Sequence, residues 1–126
     1  MMDVALGRAR FGPDSRAVLE WCQHQPQATI VAWHTVSNLF YLLSAARSAG
    51  FAREFLGGLL KFAAVASGNT ESVRHALSMR MRDFEDALQV EAAITGDASF
   101  IVTRNVADYR DSSIPPLTPA AFLKRL

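Results

Sequence analysis

Residues 82–93, which read RDFEDALQVEAA, place three carboxylates directly before an apolar helical run. Asp83, Glu85 and Asp86 lie within four positions, and like charges at this spacing repel each other by roughly a few tenths of a kcal/mol per pair. Two kinds of neighbour would offset the repulsion. One is the N-terminus of a helix, whose dipole is positive, and the other is a bound divalent cation, which prefers oxygen ligands. The residues by themselves leave both interpretations open.

Further polar side chains follow two of the predicted strands. Residues 34–38 come directly after the apolar run ATIVAW, and residues 104–108 come directly after SFIVT. In open parallel sheets, ligands bind beyond the carboxyl ends of the strands, where the following loops and helix N-termini meet. We therefore expect both polar groups and the acidic stretch to converge on one edge of a sheet.

The elements that must position these side chains are read from the hydrophobic pattern. Apolar residues at helical spacing behind cap-type residues indicate helices, and short β-branched runs indicate buried strands. We expect helices at 14–25, 35–50, 52–60, 70–79, 84–95 and from Thr118-Pro119 onward, and strands at 28–33, 61–67, 99–103 and just before Thr118. This alternation predicts a single α/β domain over residues 1–126 with a mainly parallel sheet.

Composition and charge restrict the class of protein. The 126 residues include 13 basic and 12 acidic side chains, so the chain lacks the strong positive field of an electrostatically dominated nucleic-acid binder. The single cysteine, Cys22, cannot form an internal disulfide, and no apolar run approaches the roughly 20 residues of a membrane span. These features predict a soluble cytoplasmic protein whose nucleic-acid contacts, if it makes any, are local.

Two motifs together resemble a known family. DFEDALQVEAA, followed after a spacer by IVTRNVADYRDSSIPPLTPAAFL, closely resembles the C-terminal half of PIN-domain proteins, including the ribonuclease toxins of bacterial toxin–antitoxin pairs. The resemblance implies a three-layer α/β sandwich with helices on both faces of the sheet. It also implies an endoribonuclease that depends on Mg²⁺ or Mn²⁺, with RNA as substrate and an antitoxin protein as partner.

The resemblance assigns candidate site residues position by position. The third acidic position of the family falls on Asp86, which we expect to be the principal metal ligand. The fourth falls on Asn105, a neutral carbonyl ligand at best, and Asp108 is expected to supply the missing charge. The second position, usually a Glu, falls on Asn38, and Arg104 is expected to contact a substrate phosphate. Each has a plainer interpretation. For Asp86 it is a plain helix cap, with Asp83 at the N-cap and Asp86 in the first turn. For the others it is a turn residue that tolerates a left-handed backbone (Asn105), a solvated loop acid (Asp108), a first-turn helix residue (Asn38) and a surface residue (Arg104).

The N-terminus departs from the family pattern. PIN-domain proteins begin with a hydrophobic strand that ends in a metal-binding Asp, whereas this chain begins MMDVALGRARF. Asp3 matches a later Asp of the motif and is not assigned as that ligand. Either the translation start is assigned too far downstream or the protein is a truncated relative, and in both cases we expect the 126-residue chain to cleave RNA poorly.

The helix at 37–49 is apolar on almost every side, which predicts that it is buried by the domain and by a partner. We expect Leu39, Leu42 and Leu43 in the core, and some of Phe40, Tyr41 and Ala46 in a homodimer or partner contact. A rival to the nuclease is a catalytically silent PIN-like module that binds RNA or protein. The two neutral residues at Asn38 and Asn105 favour that rival.

Overall fold

The computed structural model of the chain describes residues 12–25 and 28–126. Asp3 and the N-terminal segment MMDVALGRARF, where the sequence departs from the family pattern, lie outside the described residues. The elements, in chain order, are helix α1 (Gly12–Gln23), strand β1 (Thr29–Ala32), helices α2 (Trp33–Ala46) and α3 (Ala49–Leu59), strand β2 (Ala63–Ala66), helices α4 (Thr70–Ser78) and α5 (Phe84–Thr95), strand β3 (Ile101–Val102), a 3-10 helix (Val106–Tyr109), strand β4 (Pro116–Leu117) and helix α6 (Pro119–Lys124). They form two compact units, one up to Val65 and one from Ala66 onward.

The first unit is organised around the packing of α2 against α3. Its core is built from Val31 of β1, two leucines of α2, and small or aliphatic residues of α3 and β2: Leu39, Leu43, Ala52, Leu59 and Ala63. Strand β1 pairs with β2. Leu43 is completely buried, so its truncation to Ala is expected to cost about 2–5 kcal/mol.

Helix α2 is buried along one stripe rather than on every side. Leu39 and Leu43 are buried as predicted, but the prediction that Leu42 lies in the core is wrong, since 53% of its surface is exposed. Successive residues of a helix are about 100° apart around its axis, so Leu42 points away from the stripe that contains Leu43. Tyr41 is 69% exposed, whereas Phe40 packs partly against the core.

The predicted stop of this helix at Gly50 is also wrong. Helix α2 ends at Ala46, and Gly50 lies inside the first turn of α3. The reason is local, because the hydroxyl of Ser48 accepts a hydrogen bond of 3.0 Å from the backbone N–H of Phe51. A serine in this position caps a new helix, which begins before the glycine is reached.

The second unit is organised around the packing of α4 against α5. Helix α4 begins with a reciprocal capping box, in which Asn69 and Ser72 each accept a hydrogen bond from the backbone N–H of the other. Helix α5 buries Ala87, Val90 and Ala93 at intervals of three residues, along one face. The two helices are also joined by His75 Nδ1 and Glu91 Oε2, which lie 2.5 Å apart.

Strands β3 and β4 pair directly before the segment that contains Arg104 and Asn105. They are parallel, with Ile101 opposite Pro116 and Val102 opposite Leu117. The ladder is completed by hydrogen bonds from Ile101 N–H to the Pro115 carbonyl, 3.0 Å, and from Thr103 N–H to the Leu117 carbonyl, 2.9 Å. The hydrogen bond of Thr103 therefore fixes the end of β3, and Arg104 and Asn105 follow it directly along the chain.

The predicted α/β class is confirmed. Within the described residues the strands pair as two two-stranded sheets, β1 with β2 and β3 with β4, and helices separate β1 from β2 and β2 from β3. Among these residues, none of the helices combines the length and the hydrophobicity that a bilayer span requires.

Candidate metal site

The N-terminus of α5 carries the acidic stretch that opened the sequence. Asp83 is the N-cap residue, and its Oδ1 accepts a hydrogen bond of 3.1 Å from the backbone N–H of Asp86. Glu85 and Asp86 occupy the first turn, where the dipole of the helix favours negative charge. The capping interpretation is therefore correct for Asp83. This cap engages only the backbone N–H of Asp86, so the Asp86 side chain can contact other residues.

The Asp86 carboxylate makes a hydrogen bond with a residue 23 positions away. The hydroxyl of Tyr109 donates to Asp86 Oδ1 at 3.0 Å in a partly buried environment. Tyr109 ends the short 3-10 helix and is only 7% exposed. The structure therefore joins the N-terminus of α5 to the segment that follows β3. The convergence of residues 34–38 with these two groups stays a prediction.

The surroundings of Asp86, unlike its hydrogen bond with Tyr109, disfavour the ionised carboxylate. Burial raises the pKa of Asp86 above its ordinary value of 3.8, the hydrogen bond from Tyr109 lowers it, and the negative charges of Asp83, Asp108 and Glu85 raise it further. Burial also raises the pKa of the Tyr109 hydroxyl, together with the charge of Asp86 and the hydrogen bond to it. The hydroxyl therefore stays protonated and remains a donor at neutral pH.

The residues predicted after β3 lie on the same loop. Asn105 precedes the 3-10 helix, with its N–H donating to Thr103 Oγ1 at 3.1 Å and its carbonyl accepting from Asp108 N–H at 3.0 Å. Its φ of −111° is not left-handed, so the tolerance of asparagine for that conformation is not used here. Asp108 is exposed in the first turn of the 3-10 helix, and its charge acts on both Asp86 and Tyr109. Arg104 is exposed next to Asn105.

Asn38 belongs to the first unit. It is exposed and lies in the second turn of α2 rather than the first, because that helix already begins at Trp33. The structure brings together Asp83, Asp86, Asp108 and Tyr109 in the second unit. Asn38 is described only within its own unit, and its predicted place in the site rests on the family resemblance.

The donor set fits a hard divalent cation in its chemistry. Asp86 and Asp108 offer carboxylate oxygens, and a cation bound at Asp86 would offset the negative charge that raises its pKa. In the part of the chain that the structure describes, no three His, Cys, Asp or Glu side chains are grouped closely enough to hold an ion. Mg²⁺ commonly binds through one or two carboxylates and keeps several waters, so a pair of acids suits it.

A comparison with protein-family models matches residues 1–107 to the PIN domain. The chain belongs to the PIN-domain family. The match runs through both compact units, includes Asp86 and Asn105, and ends one residue before Asp108. No curated protein and no solved structure matches the chain at a significant level. Membership of the PIN family indicates a nuclease-type function and a general use of divalent metals.

Tyr109 is the residue of this PIN-domain site that the sequence analysis missed. It lies in the same short segment as Asn105 and Asp108, NVADY, but an isolated tyrosine after a strand has no spacing that marks it as a site residue. Its burial and its contact with Asp86 arise from tertiary packing. The available signal was its position directly after Asp108 in a segment already expected to face the acids.

Proposed function

We propose that this PIN domain is an endoribonuclease that depends on Mg²⁺ or Mn²⁺, and that it is the cytoplasmic toxin of a toxin–antitoxin pair. The observation that carries the proposal is the partly buried Asp86 carboxylate, held at a helix N-terminus and crowded by Asp83, Asp108 and Glu85. Among the described residues, the charged groups that act on the pKa of Asp86 are the acids Asp83, Asp108 and Glu85, an environment that supports the proposal of a cation.

We propose a separate role for each residue of the site. Asp86 is the principal metal ligand, Asp108 is the second acidic ligand, and Asn105 offers a neutral oxygen. A role for Asn38, which belongs to the first unit, is proposed from the family resemblance alone. Arg104, beside Asn105 at the end of β3, contacts a phosphate of the RNA. A divalent cation held by Asp86 and Asp108 would supply the chemistry of water activation and of charge neutralisation at the phosphate for in-line hydrolysis. No covalent intermediate is proposed.

The test is cleavage of structured and unstructured RNA with Mg²⁺, with Mn²⁺ and with a chelator. The variants are Asp86→Asn and a matched control, Asp14→Asn, which makes the same change in the first turn of α1. Because the 126-residue chain is expected to cleave RNA poorly, we expect weak cleavage that chelator abolishes, that Asp86→Asn loses and that Asp14→Asn keeps. Cleavage insensitive to chelator, or unaffected by Asp86→Asn, would contradict the proposal.

A second candidate is a catalytically silent PIN module that binds RNA or protein. The neutral side chains at Asn38 and Asn105, where the family carries acids, favour it. Metal titration separates the two candidates. RNA binding that neither requires a cation nor leads to cleavage would support the silent module, whereas cleavage that saturates with Mn²⁺ would exclude it.

Helix α2 is the proposed contact surface for a second copy of the chain or an antitoxin. Trp33 is 71% exposed and Tyr41 is 69% exposed, and with Val36, Phe40 and other neighbours they line an open groove of about 300 Å³. Aromatic side chains that are exposed in one chain are enriched at the centres of protein interfaces, where the partner buries them. Sedimentation of the parent and of Tyr41→Glu tests self-association, which the substituted charge is expected to weaken.

A further inference from the structure

The hydroxyl of Tyr109 has a defined partner and a defined setting. Tyr109 is 7% exposed, and its O–H donates to Asp86 Oδ1 at 3.0 Å. Its backbone is held in place, since its carbonyl accepts a hydrogen bond of 2.9 Å from Ser112 N–H. A buried tyrosine hydroxyl needs a partner, and here that partner is the residue proposed as the principal metal ligand.

Other contacts of Asp86 do not determine how its carboxylate is turned. Its backbone N–H is engaged by Asp83 Oδ1, which fixes the main chain at the start of α5. The terminal torsion of an Asp side chain is broad, so the helix alone leaves the two oxygens free to exchange places. The Tyr109 hydroxyl removes this freedom by engaging Oδ1 from a separate, fixed element.

We infer that Tyr109 is a positioning residue, whose hydroxyl holds Oδ1 of Asp86 and thereby presents Oδ2 to the cation. The inference rests on the proposed function in naming a cation as what Asp86 binds. Its geometric part, that the hydroxyl orients the carboxylate, stands independently. Groups that orient metal ligands through hydrogen bonds typically change metal affinity by about 10- to 100-fold when they are removed.

The hydroxyl can be removed without removing the ring. Tyr109→Phe keeps the buried aromatic side chain and loses only the donor. The matched control is Ser78→Ala, which also removes one hydroxyl donor from the second unit, but one that donates to the His75 carbonyl rather than to Asp86. In calorimetric titration with Mn²⁺ we expect Tyr109→Phe to bind about 10-fold more weakly than the parent. Ser78→Ala is expected to bind as the parent does.

Thermal unfolding of each variant separates positioning from folding. If Tyr109→Phe does not fold, Tyr109→Met offers a second flexible apolar side chain without a donor. A folded variant that binds Mn²⁺ with the affinity of the parent overturns the inference. A loss of affinity that occurs equally in Ser78→Ala also overturns it, because the effect would not depend on the contact with Asp86.

Crystal structures of the parent and of Tyr109→Phe provide a readout that does not require a metal. We expect one orientation of the Asp86 carboxylate in the parent and more than one in the variant. If the parent binds no Mn²⁺, the proposed function fails, and the two structures still decide whether Tyr109 orients Asp86. An unchanged single orientation in Tyr109→Phe would refute the positioning role whatever the result with Mn²⁺.

Discussion

The family resemblance assigns one site position to each of two helices, Asn38 in α2 and Asp86 in α5. The N-termini of these two helices are nevertheless built differently. Helix α2 begins behind Ala32, which has no side chain to cap it, and its first turn contains no acidic residue. Helix α5 begins behind Asp83, which caps it, and its first turn contains Glu85 and Asp86. The start of α2 is stabilised by the packing of its buried residues. The start of α5 places several negative charges together, which is the environment proposed to bind a cation.

The difference shows that the two helix starts are stabilised by different interactions. The start of α2 follows β1 directly, with Val31 and Ala32 buried, so burial places it. The start of α5 is placed by a side-chain hydrogen bond and carries a desolvated carboxylate. A carboxylate whose pKa is raised costs stability at neutral pH, which is a common property of functional acids.

The largest expected effect is on metal binding at α5. Asp86→Asn should reduce Mn²⁺ affinity by roughly 100-fold or more, since it removes the anionic ligand itself rather than a group that orients it. The variant keeps a polar side chain that can still accept from Tyr109, so the fold is expected to persist. Calorimetry and thermal unfolding check both statements. If the variant unfolds and the parent shows no measurable metal affinity, Asp86 is a structural residue.

The cap of α5 is expected to contribute about 1 kcal/mol. Asp83→Ala should lower the free energy of unfolding by that amount, which corresponds to roughly 3–6 °C in Tm for a chain of this size. Asp83→Asn keeps the capping oxygen and should be close to the parent in stability. Denaturant unfolding of the pair checks this, and equal loss in both variants would show that the charge of Asp83 matters more than its hydrogen bond.

The raised pKa of Asp86 predicts how stability depends on pH in the presence of chelator. The folded state holds this proton more tightly than the unfolded chain, whose carboxyl titrates near 3.8. The stability that protonation of Asp86 contributes to the folded state is therefore fully present below the unfolded pKa, and it is lost as pH rises through the folded pKa. We expect Asp86→Asn to gain stability relative to the parent as pH rises from ~3 to ~7. A difference that does not change with pH would contradict the raised pKa.

The smallest expected effect is at α2. Ala32 has the extended backbone of a cap residue, with φ −71° and ψ 150°, but it lacks a capping side chain. Ala32→Ser should add a hydrogen bond to the first turn and raise the free energy of unfolding by about 0.5 kcal/mol. Urea unfolding measures this change. A loss of stability would mean that the hydroxyl is too confined at this buried position to reach the helix.

The sequence predicted elements best where their ends carry local signals. Helix α5 has the predicted bounds of Phe84–Thr95, because Asp83 caps its start and Gly96 stands at its end. Helix α6 begins at the predicted Thr118-Pro119 signal, where Thr118 accepts from Ala121 N–H. The start of α2 was misplaced, because the uncapped Ala32 leaves no sign of it in the sequence.

The candidate site was predictable in part. The acidic stretch and the family motifs identified Asp86, and the spacing after β3 identified Asp108, whose charge does act on Asp86. The burial of Leu42 was predicted wrongly, because an all-apolar helix does not show which stripe the neighbouring helix will cover. The 3-10 helix was not foreseen, since four residues are too few to show a period.

The sequence by itself determined the family, the α/β class and the acidic residue at the start of α5, because motifs, caps and hydrophobic periods are properties of neighbouring positions. Only the tertiary structure decided the environment of that residue. Tyr109 lies 23 positions from Asp86, and its hydroxyl reaches the carboxylate only after α5, β3 and the 3-10 helix have packed. The same packing removes water from Asp86 and raises its pKa. Solvation and hydrogen-bond partners are set by the atoms that folding brings near, which the order of residues along the chain does not specify.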